Sequence, residues 1–219
     1  MNSLKPLYII GAGGFGREVA WLVERINHIS PTWDFKGFID DDHNLWNIKV
    51  DGHKVYGGHS YLEKQETDLW TILAVGNAKV RKQVAKRIEA YSHIHFATLV
   101  DPDVQMSNRV QIGEGTIVCA GSIITTDIVI GSHNLINLDC TIGHDAVLEN
   151  FVTLYPSVNI SGAVKIGECT EIGVGTQIIQ GLTIGSGVVI GASSGVFRDI
   201  GDGAIALGNP ARVMKKNQM

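Results

Sequence analysis

A histidine and an aspartate stand side by side in a segment that otherwise contains mainly aliphatic and small residues. The segment reads IGHDAVLENF and places His144 directly before Asp145. An imidazole with an ordinary pKa of about 6.5 takes up a proton near neutral pH, so it can act as a general base. A carboxylate in contact with it would favour the imidazolium and strengthen that base. Without further context, a surface histidine that has no catalytic role is the commoner interpretation.

A second group of residues suited to chemistry lies near the N-terminus. The sequence YIIGAGGFGREVA contains Gly11, Gly13 and Gly16 in the arrangement G-x-G-x-x-G. Between a strand and a helix, such a loop surrounds a diphosphate with backbone N–H groups and the helix N-terminus. Asp40 follows Gly16 by 24 residues, roughly where a dinucleotide fold places the acid that binds ribose. The pattern alone is weak, because glycines also permit an ordinary tight turn, and it leaves NAD open as a ligand.

The elements that carry this loop alternate between strand and helix. Apolar runs predict strands over 7–10, 35–42 and 71–77, and helical spacing predicts helices over 17–26 and 78–91. The second helix carries its apolar spacing on Val80, Val84 and Ile88. Strands that alternate with helices are typical of a parallel sheet, so residues 1–94 are predicted to form a small α/β domain that holds one mononucleotide-binding half.

The elements that carry His144 follow a different period. From Val100 to Val196 every sixth residue is aliphatic, without interruption, and glycine often follows it. A period of six fits neither a helix nor a plain strand, but it fits a short strand and a turn, repeated. Glycine suits such turns because it accepts positive φ. Three units form an 18-residue coil, so Gly162 is predicted to occupy the same corner as His144, one coil later.

This unbroken repeat, with GNPAR at residues 208–212, resembles the hexapeptide-repeat acyltransferases, whose fold is a left-handed parallel β-helix. The general rule for parallel crossovers would give the right hand, so the left hand comes from the resemblance. With YIIGAGGFGREVA, GFIDDD and ILAVGN ahead of the repeat, the whole chain is similar to one subfamily. That subfamily contains nucleotide-sugar N-acetyltransferases and sialic-acid O-acetyltransferases. The expected fold is therefore α/β plus all-β, with a Rossmann-like domain over 1–94 and a β-helix with a C-terminal tail over 95–219.

The resemblance implies an acetyl-CoA-dependent N-acetyltransferase that acts on a nucleotide-linked 4-amino-4,6-dideoxy sugar. His144 would be the general base of a direct transfer, with Asp145 as its partner. The family's members are homotrimers that bind acetyl-CoA between subunits. By its coil spacing from His144, the N–H of Gly162 could then face the thioester oxygen, and a glycine that only serves the turn is the alternative. The family's coenzyme contacts fall here on Gly162, Thr153, Val174 and Ala192. Its contacts with the nucleotide sugar fall on Gly13, Gly14, Phe15, Asp40, Asp41, Gly76 and Asn77.

Two positions depart from the pattern of the family. Many relatives have Ser-Gly-His where this chain has Gly13-Gly14-Phe15, so Phe15 offers an aromatic face in place of a ring donor. Relatives often carry a histidine at the position of Thr153. These departures leave the nucleotide of the acceptor undetermined among UDP, dTDP and GDP, and they leave the sugar undetermined as well. N- and O-acetylation are not separated either, because one base serves both, so a sialic-acid or other sugar O-acetyltransferase is the alternative.

Composition excludes several other classes of protein. A formal net charge of −4 gives no basic surface for nucleic acid, and no apolar stretch is long enough to span a membrane. The N-terminus lacks the apolar core of a secretion signal, which favours a cytoplasmic protein. The repeat has only His133 and His144, fewer than the three histidines that hold zinc in β-helical carbonic anhydrases, so no metal is expected. A non-enzymatic trimerisation rod with a nucleotide sensor is a further alternative, which the His-Asp pair disfavours.

Overall fold

The computed structural model describes residues 3–216, and its N-terminal part is a four-stranded parallel sheet with the order β2-β1-β5-β6. The strands of this sheet are β1 (Lys5–Ile10), β2 (Trp33–Ile39), β5 (Leu69–Leu73) and β6 (Ile94–Phe96). The helices are α1 (Gly14–Ile29), α2 (Ser60–Glu63) and α3 (Ala78–Ile88). A 3-10 turn at His43–Leu45 and the short antiparallel pair β3 (Lys49–Val50) and β4 (His53–Lys54) follow β2. The predicted parallel α/β arrangement is confirmed.

The strand order creates a crevice at one edge of this sheet. The chain passes from β1 through α1 to β2 on one side, and then returns to place β5 on the other side of β1. The carboxyl ends of strands at such a reversal of direction form the usual ligand crevice of open α/β sheets. The predicted strand over 35–42 ends earlier than expected, at Ile39, so Asp40 and Asp41 lie just beyond its carboxyl end.

The rest of the chain is a left-handed parallel β-helix of two-residue strands spaced six residues apart. Its 17 strands start at β7 (Leu99–Val100) and end at β23 (Gly195–Val196). Between them lie β8 (Gln105–Met106), β9 (Gln111–Ile112), β10 (Ile117–Val118), β11 (Ile123–Ile124), β12 (Val129–Ile130), β13 (Leu135–Ile136), β14 (Thr141–Ile142), β15 (Val147–Leu148), β16 (Thr153–Leu154), β17 (Asn159–Ile160), β18 (Lys165–Ile166), β19 (Glu171–Ile172), β20 (Gln177–Ile178), β21 (Thr183–Ile184) and β22 (Val189–Ile190).

These strands stack into three parallel sheets, which we call the first, second and third faces. The first face contains β7 and every third strand from it, the second face starts at β8, and the third face starts at β9. Each predicted inward residue is the second residue of its strand, and nearly all of them fill one continuous apolar core. Met106 is the exception, at 42% exposed, because it lies in the first coil, whose outer end no further coil covers.

The glycines that follow inward positions have a different role from the one predicted. Left-handed backbone occurs three residues after the inward position, as at Asp145 (φ 59°), and not at the glycine next to it. A Cβ on Gly143 would lie 2.6 Å from the amide nitrogen of Gly162 in the next coil. These glycines are therefore required by the close approach of successive coils at the corners, and the prediction that they supply positive φ is wrong.

A second apolar cluster joins the two parts of the chain. Leu99, Ile117 and Cys119, from the first coils, pack in the same cluster as residues of β1, α1 and β5. The N-terminal sheet ends with β6, two residues beyond the predicted boundary at 94/95, and the β-helix begins with β7. At the other end, β24 (Ala204–Leu207) continues the first face, and the GNPAR turn leads into the antiparallel strand β25 (Arg212–Lys216). The N-terminal domain thus covers the first face of the β-helix.

Candidate functional site

The corner between the second and third faces carries the predicted base. His144 Nδ1 lies 2.8 Å from Asp145 Oδ2, and both side chains are exposed. The left-handed conformation of Asp145 turns the backbone at this point and brings its carboxylate next to the ring of its neighbour. An Nδ1–H that donates to the carboxylate leaves the lone pair of Nε2 free, so Nε2 is the atom able to accept a proton.

Gly162 lies directly against this imidazole. A Cβ built on Gly162 would be 2.6 Å from both Cε1 and Nε2 of His144, so no side chain fits there. The pairing of β14 with β17 sets the two residues one coil apart on the same corner, as predicted. The backbone amide of Gly162 makes no hydrogen bond within residues 3–216, whereas the next amide, of Ala163, donates to the carbonyl of His144. A base and an unpaired N–H donor therefore lie side by side.

The same corner continues toward the C-terminal end of the β-helix. Gln180 and Arg198 follow Gly162 at 18-residue intervals, so Arg198 lies three coils, about 14 Å, beyond His144. There a cleft of about 430 Å³ opens between Phe197, Arg198 and the strand that carries Arg212. Two arginines at a cleft suit a ligand with phosphate groups.

The predicted coenzyme contacts do not come together within one chain. Val174 and Ala192 are exposed, but they lie on the corner between the first and second faces, separated from His144 by the second face. Thr153 lies on the first face and is 0% exposed. Its hydroxyl donates to the carbonyl of Gly76 and accepts from Arg81, so its side chain has no surface left for a coenzyme. The prediction of a coenzyme contact at Thr153 is therefore wrong, because the N-terminal domain covers this position.

The glycine loop lies at the crevice of the N-terminal sheet. No side chain caps the N-terminus of α1, and within residues 3–216 the amides of Gly13, Gly14 and Phe15 have no hydrogen-bond partner. Gly16 is required for packing, since a Cβ there would lie 2.0 Å from the carbonyl oxygen of Gly11. Unpaired amides at the start of a 16-residue helix form an anion site that suits a diphosphate.

A pocket of about 210 Å³ adjoins this loop, between the carboxyl ends of β1, β2 and β5. Its lining residues are Ile10, Gly11, Ile39, Asp40, Asp41, His59, Val75, Val80, Val84 and Arg87. The predicted acids Asp40 and Asp41 thus lie at the rim of an aliphatic pocket, next to the anion site. Such a pocket, apolar with a few polar groups at its edge, is typical of small-ligand sites.

The two acids have different partners. Asp40 accepts from the amides of Ala12 and Asp42 at 2.8 and 2.9 Å, and so holds the glycine loop in place. Asp41 Oδ1 lies 3.0 Å from His59 Nδ1. Burial raises the pKa of Asp41, but the hydrogen bonds from the side chain and backbone of His59 outweigh it, and the net change lowers this pKa. Asp41 is therefore an anion with one oxygen left for a ligand.

The remaining predicted contacts support the loop and the pocket in other ways. Phe15 is half-buried and packs against the core that both domains share, so its ring is a less open stacking face than predicted. Asn77 caps α3 by accepting from the amide of Val80 at 3.0 Å. Gly76 directs its carbonyl at the β-helix, where it accepts from Thr153 and Arg81.

The apolar residues of α3 divide between the core and a pocket: Ile88 is buried in the core, and Val84 packs against it. Val80 is 46% exposed and lines the pocket with Val84, whereas Arg81 is 1% exposed. The N-terminal part of the apolar stripe of α3 therefore forms a pocket wall, and a charged residue faces the β-helix. Arg81, His59 and Arg87 were all missed, since nothing in the spacing of single charged residues marks them as buried or as lining a pocket.

The two histidines of the β-helix lie on different corners. His133 lies on the corner between the third and first faces, away from His144, and its ring stacks on Phe151 at 4.9 Å. Over residues 3–216, no cluster of three or more His, Cys, Asp or Glu side chains is arranged to hold a metal ion. No helix in that part of the chain is long and apolar enough to cross a membrane.

Comparison with known proteins adds to this geometry. Residues 6–88 match the family model of the PglD N-terminal domain. A UDP-N-acetylbacillosamine N-acetyltransferase of Bacillus subtilis (strain 168) is 35% identical over 121 residues, 53% of this chain and 52% of that protein. This chain therefore aligns with about half the length of that curated relative.

Two solved structures are similar along their whole length. The acetyltransferase domain of PglB from Neisseria gonorrhoeae FA1090 in complex with acetyl coenzyme A has 31% identity and a TM-score of 0.88, covering 97% of this chain and 100% of that one. PerB from Caulobacter crescentus, in complex with CoA and GDP-perosamine, has 27% identity and a TM-score of 0.85, covering 97% and 99%. The same Neisseria domain in a further structure is 32% identical and fully covered. The chain belongs to the family of hexapeptide-repeat sugar N-acetyltransferases that carry a PglD-type N-terminal domain.

Proposed function

We propose that this protein transfers the acetyl group of acetyl-CoA to the amine of a nucleotide-linked 4-amino-4,6-dideoxy sugar, with His144 as the general base. The observation that carries the proposal is the imidazole of His144, which Asp145 holds directly against Gly162, a residue whose own amide is unpaired within residues 3–216. The family of the chain supports the reaction class, and the complex of PerB with GDP-perosamine supports an acceptor of this kind.

The transfer proceeds in one ternary complex. The amine nitrogen attacks the thioester carbonyl carbon, and the bond between that carbon and sulfur breaks as the amide bond forms. His144 Nε2 takes the proton that the amine loses and returns it to the departing thiolate, which leaves as CoA thiol. The N–H of Gly162 stabilises the negative charge that develops on the carbonyl oxygen. No serine or cysteine nucleophile is needed.

The acceptor binds through its nucleotide. The amides of Gly13, Gly14 and Phe15 at the start of α1 hold the diphosphate, and the adjoining pocket takes the nucleoside between its aliphatic walls. Asp40 keeps the loop in the binding conformation, and the free oxygen of Asp41 accepts from a hydroxyl or base N–H group. Gly76 and Asn77 support the pocket wall that leads to α3.

The coenzyme extends from Gly162 toward the C-terminal end of the corner. The three coils between His144 and Arg198 give room for the pantetheine arm, and Arg198 and Arg212 meet the phosphates at the terminal cleft. Val174 and Ala192 contact the same arm from a neighbouring copy, because they lie on a different corner of their own chain. This arrangement places Thr153 outside the coenzyme site.

A homotrimer completes the site. The N-terminal domain covers the first face, whereas His144 lies on the corner between the other two faces, on the opposite side of the three-sided rod. One chain therefore cannot bring its own nucleotide pocket to its own base. A cyclic assembly of three copies would set the base of each beside the nucleotide pocket and the Val174 corner of the next.

The test is acetyl transfer to a panel of UDP-, dTDP- and GDP-linked 4-amino-6-deoxy sugars. The rate is measured from the CoA thiol that the reaction releases. His144→Ala is expected to lower kcat by about 10³-fold, in the range that removal of a general base costs, while coenzyme binding and trimer mass persist. His28→Ala, on the exposed end of α1, is the matched control and should keep full activity. Full activity of His144→Ala would refute the assignment of the base. Preferential acetylation of free sialic acid would overturn the proposed acceptor.

A further inference from the structure

Arg81 occupies the joint between the two domains and is a buried cation without an acidic partner in contact. Its side chain is 1% exposed, and within residues 3–216 no carboxylate forms an ion pair with it. Burial lowers its pKa to about 10, which still leaves it charged at neutral pH. An isolated buried charge is costly unless hydrogen bonds compensate it, so this arginine requires an explanation.

All of its donors are used, and they divide between the two domains. Toward the β-helix, Nε donates to His133 O at 2.9 Å and Nη2 donates to Phe151 O and Thr153 Oγ1 at 3.1 and 2.9 Å. Toward the N-terminal domain, Nη1 donates to Val75 O and Gly76 O at 2.7 and 3.0 Å. The rigid, planar guanidinium thus fixes the loop after β5 at a set distance from the β-helix.

Further contacts hold the same loop from the same side. Thr153 Oγ1 donates to Gly76 O at 3.0 Å, and Glu171 Oε1 accepts from the amide of Ala78 at 3.0 Å, at the first residue of α3. Both groups belong to the first face of the β-helix. Val75 and the exposed side of α3 form one wall of the nucleotide pocket. The groups that fix this wall are therefore supplied largely by the β-helix.

We infer that Arg81 is a positioning residue for the acceptor, which sets the wall of the nucleotide pocket against the β-helix that carries the acetyl-transfer corner. The inference rests on the proposed function, since it assigns a role toward the nucleotide sugar. Arg81 touches neither the acceptor nor the coenzyme. It acts through Val75, Gly76 and α3.

Another arginine provides a matched comparison. Arg25 of α1 also joins the two domains, through ion pairs with Asp101 and Asp103 in the first coil, but it does not line the nucleotide pocket. Loss of either arginine weakens the joint between the domains. Only the loss of Arg81 releases the pocket wall.

The experiment compares Arg81→Met, Arg81→Lys and Arg25→Met with the wild-type trimer. For Arg81→Met we expect KM for the nucleotide amino sugar to rise at least tenfold, with KM for acetyl-CoA unchanged within twofold. Arg81→Lys should recover part of this loss, since an ammonium can serve some of the carbonyls. Arg25→Met should lower the melting temperature and leave both KM values unchanged. Equal rises in both KM values for Arg81→Met would overturn the inference. So would a rise in KM for the nucleotide amino sugar alone in Arg25→Met.

Direct titration with UDP, dTDP and GDP separates this inference from the proposed function. Thr153→Val, which removes one hydroxyl from the joint without changing its volume, should weaken binding of the preferred diphosphate less than Arg81→Met does, but in the same direction. If the wild-type protein binds no nucleoside diphosphate, the proposed acceptor is wrong. If the wild type binds a nucleoside diphosphate and both variants bind it as tightly as the wild type does, the proposed acceptor is retained and the positioning role of Arg81 is refuted.

Discussion

At the residue scale, His144 can lie against residue 162 only because glycine has no Cβ atom. The spacing of 18 residues was enough to predict this contact, because a six-residue repeat fixes which residues share a corner. The role of Thr153 could not be predicted in the same way. Its burial comes from the N-terminal domain packed on the first face, and the repeat alone carries no information about what covers each face.

Gly162→Ala tests that contact. The added Cβ would lie 2.6 Å from the imidazole, so the exposed ring would swing away from the amide. We expect kcat to fall by about 10²-fold or more, because the displaced ring no longer reaches the amine as a general base, with little change in stability. Gly201→Ala, where a Cβ meets no atom of residues 3–216 within 4 Å, is the control and should behave as wild type. Unchanged kcat in Gly162→Ala would show that transfer does not require the ring of His144 to lie against residue 162.

His133 leads to a prediction about stability and pH. Its ring is 3% exposed, and its Nδ1 has no hydrogen-bond partner among the described residues 3–216. Burial, and then the nearby Arg81 cation, lower the pKa of His133 from 6.5 to about 4. The unfolded chain therefore binds a proton between these two values that the folded chain does not. The contribution to stability is complete above pH 6.5 and is lost as the pH falls toward 4, by about 3 kcal/mol in total.

His133→Phe should remove this dependence. Phe151 adopts the same left-handed backbone one coil later, with φ 60°, so an aromatic residue is tolerated at this position. Denaturant titrations at several pH values between 4 and 7 would measure the free energy of unfolding of both proteins. We expect the wild type to lose about 3 kcal/mol more than the variant across that range. Parallel curves for the two proteins would contradict the assignment of this acid sensitivity to His133.

At the scale of the element, the six-residue period predicted every strand of the β-helix but not the geometry of its turns. Left-handed backbone falls on Asp145, a residue type that adopts it more often than most, but also on Phe151 and Ala163, whose identities give no hint of it. The helix α3 shows a similar limit. Its apolar spacing predicted a helix correctly, yet the face with Val80 lines a pocket and the face with Arg81 meets the β-helix. Periodicity identifies an element, whereas its orientation depends on what packs against it.

Two kinds of glycine can be separated by stability measurements. A Cβ on Gly167 would lie 2.5 Å from the amide nitrogen of Ser186 in the next coil, so Gly167→Ala should destabilise the protein by about 3 kcal/mol, as overpacking does. Gly181 has φ 77° but nothing within 4 Å of a Cβ, so Gly181→Ala should cost only about 1 kcal/mol of backbone strain. Equilibrium unfolding in denaturant measures both changes. The reverse order would show that turn conformation matters more than coil spacing.

At the scale of the whole molecule, the two binding regions of one chain face away from each other. The glycine loop belongs to the domain on the first face, and His144 lies on the opposite corner. The proposed site therefore combines the nucleotide pocket of one copy with His144 of another. Sequence alone suggested this arrangement only through the resemblance, because the opposition depends on how the domains pack.

Mixed assemblies provide the decisive measurement. His144→Ala removes the base, and Gly14→Asp places a carboxylate among the amides that would meet the diphosphate, at a helix N-terminus where an acid is tolerated. Each variant alone should be inactive. In trimers assembled at random from equal amounts of both, half of the bases and half of the nucleotide loops are intact. About a quarter of the sites then combine an intact base from one copy with an intact loop from the next, and activity should return to about that fraction of wild type.

The control is the double variant, which carries both substitutions in one chain. Mixed with His144→Ala, it should restore no activity, because no copy then has an intact base. If isolated mixed trimers carrying both single variants show no transfer, the base and the nucleotide pocket of each site must come from the same chain, and the shared site is wrong.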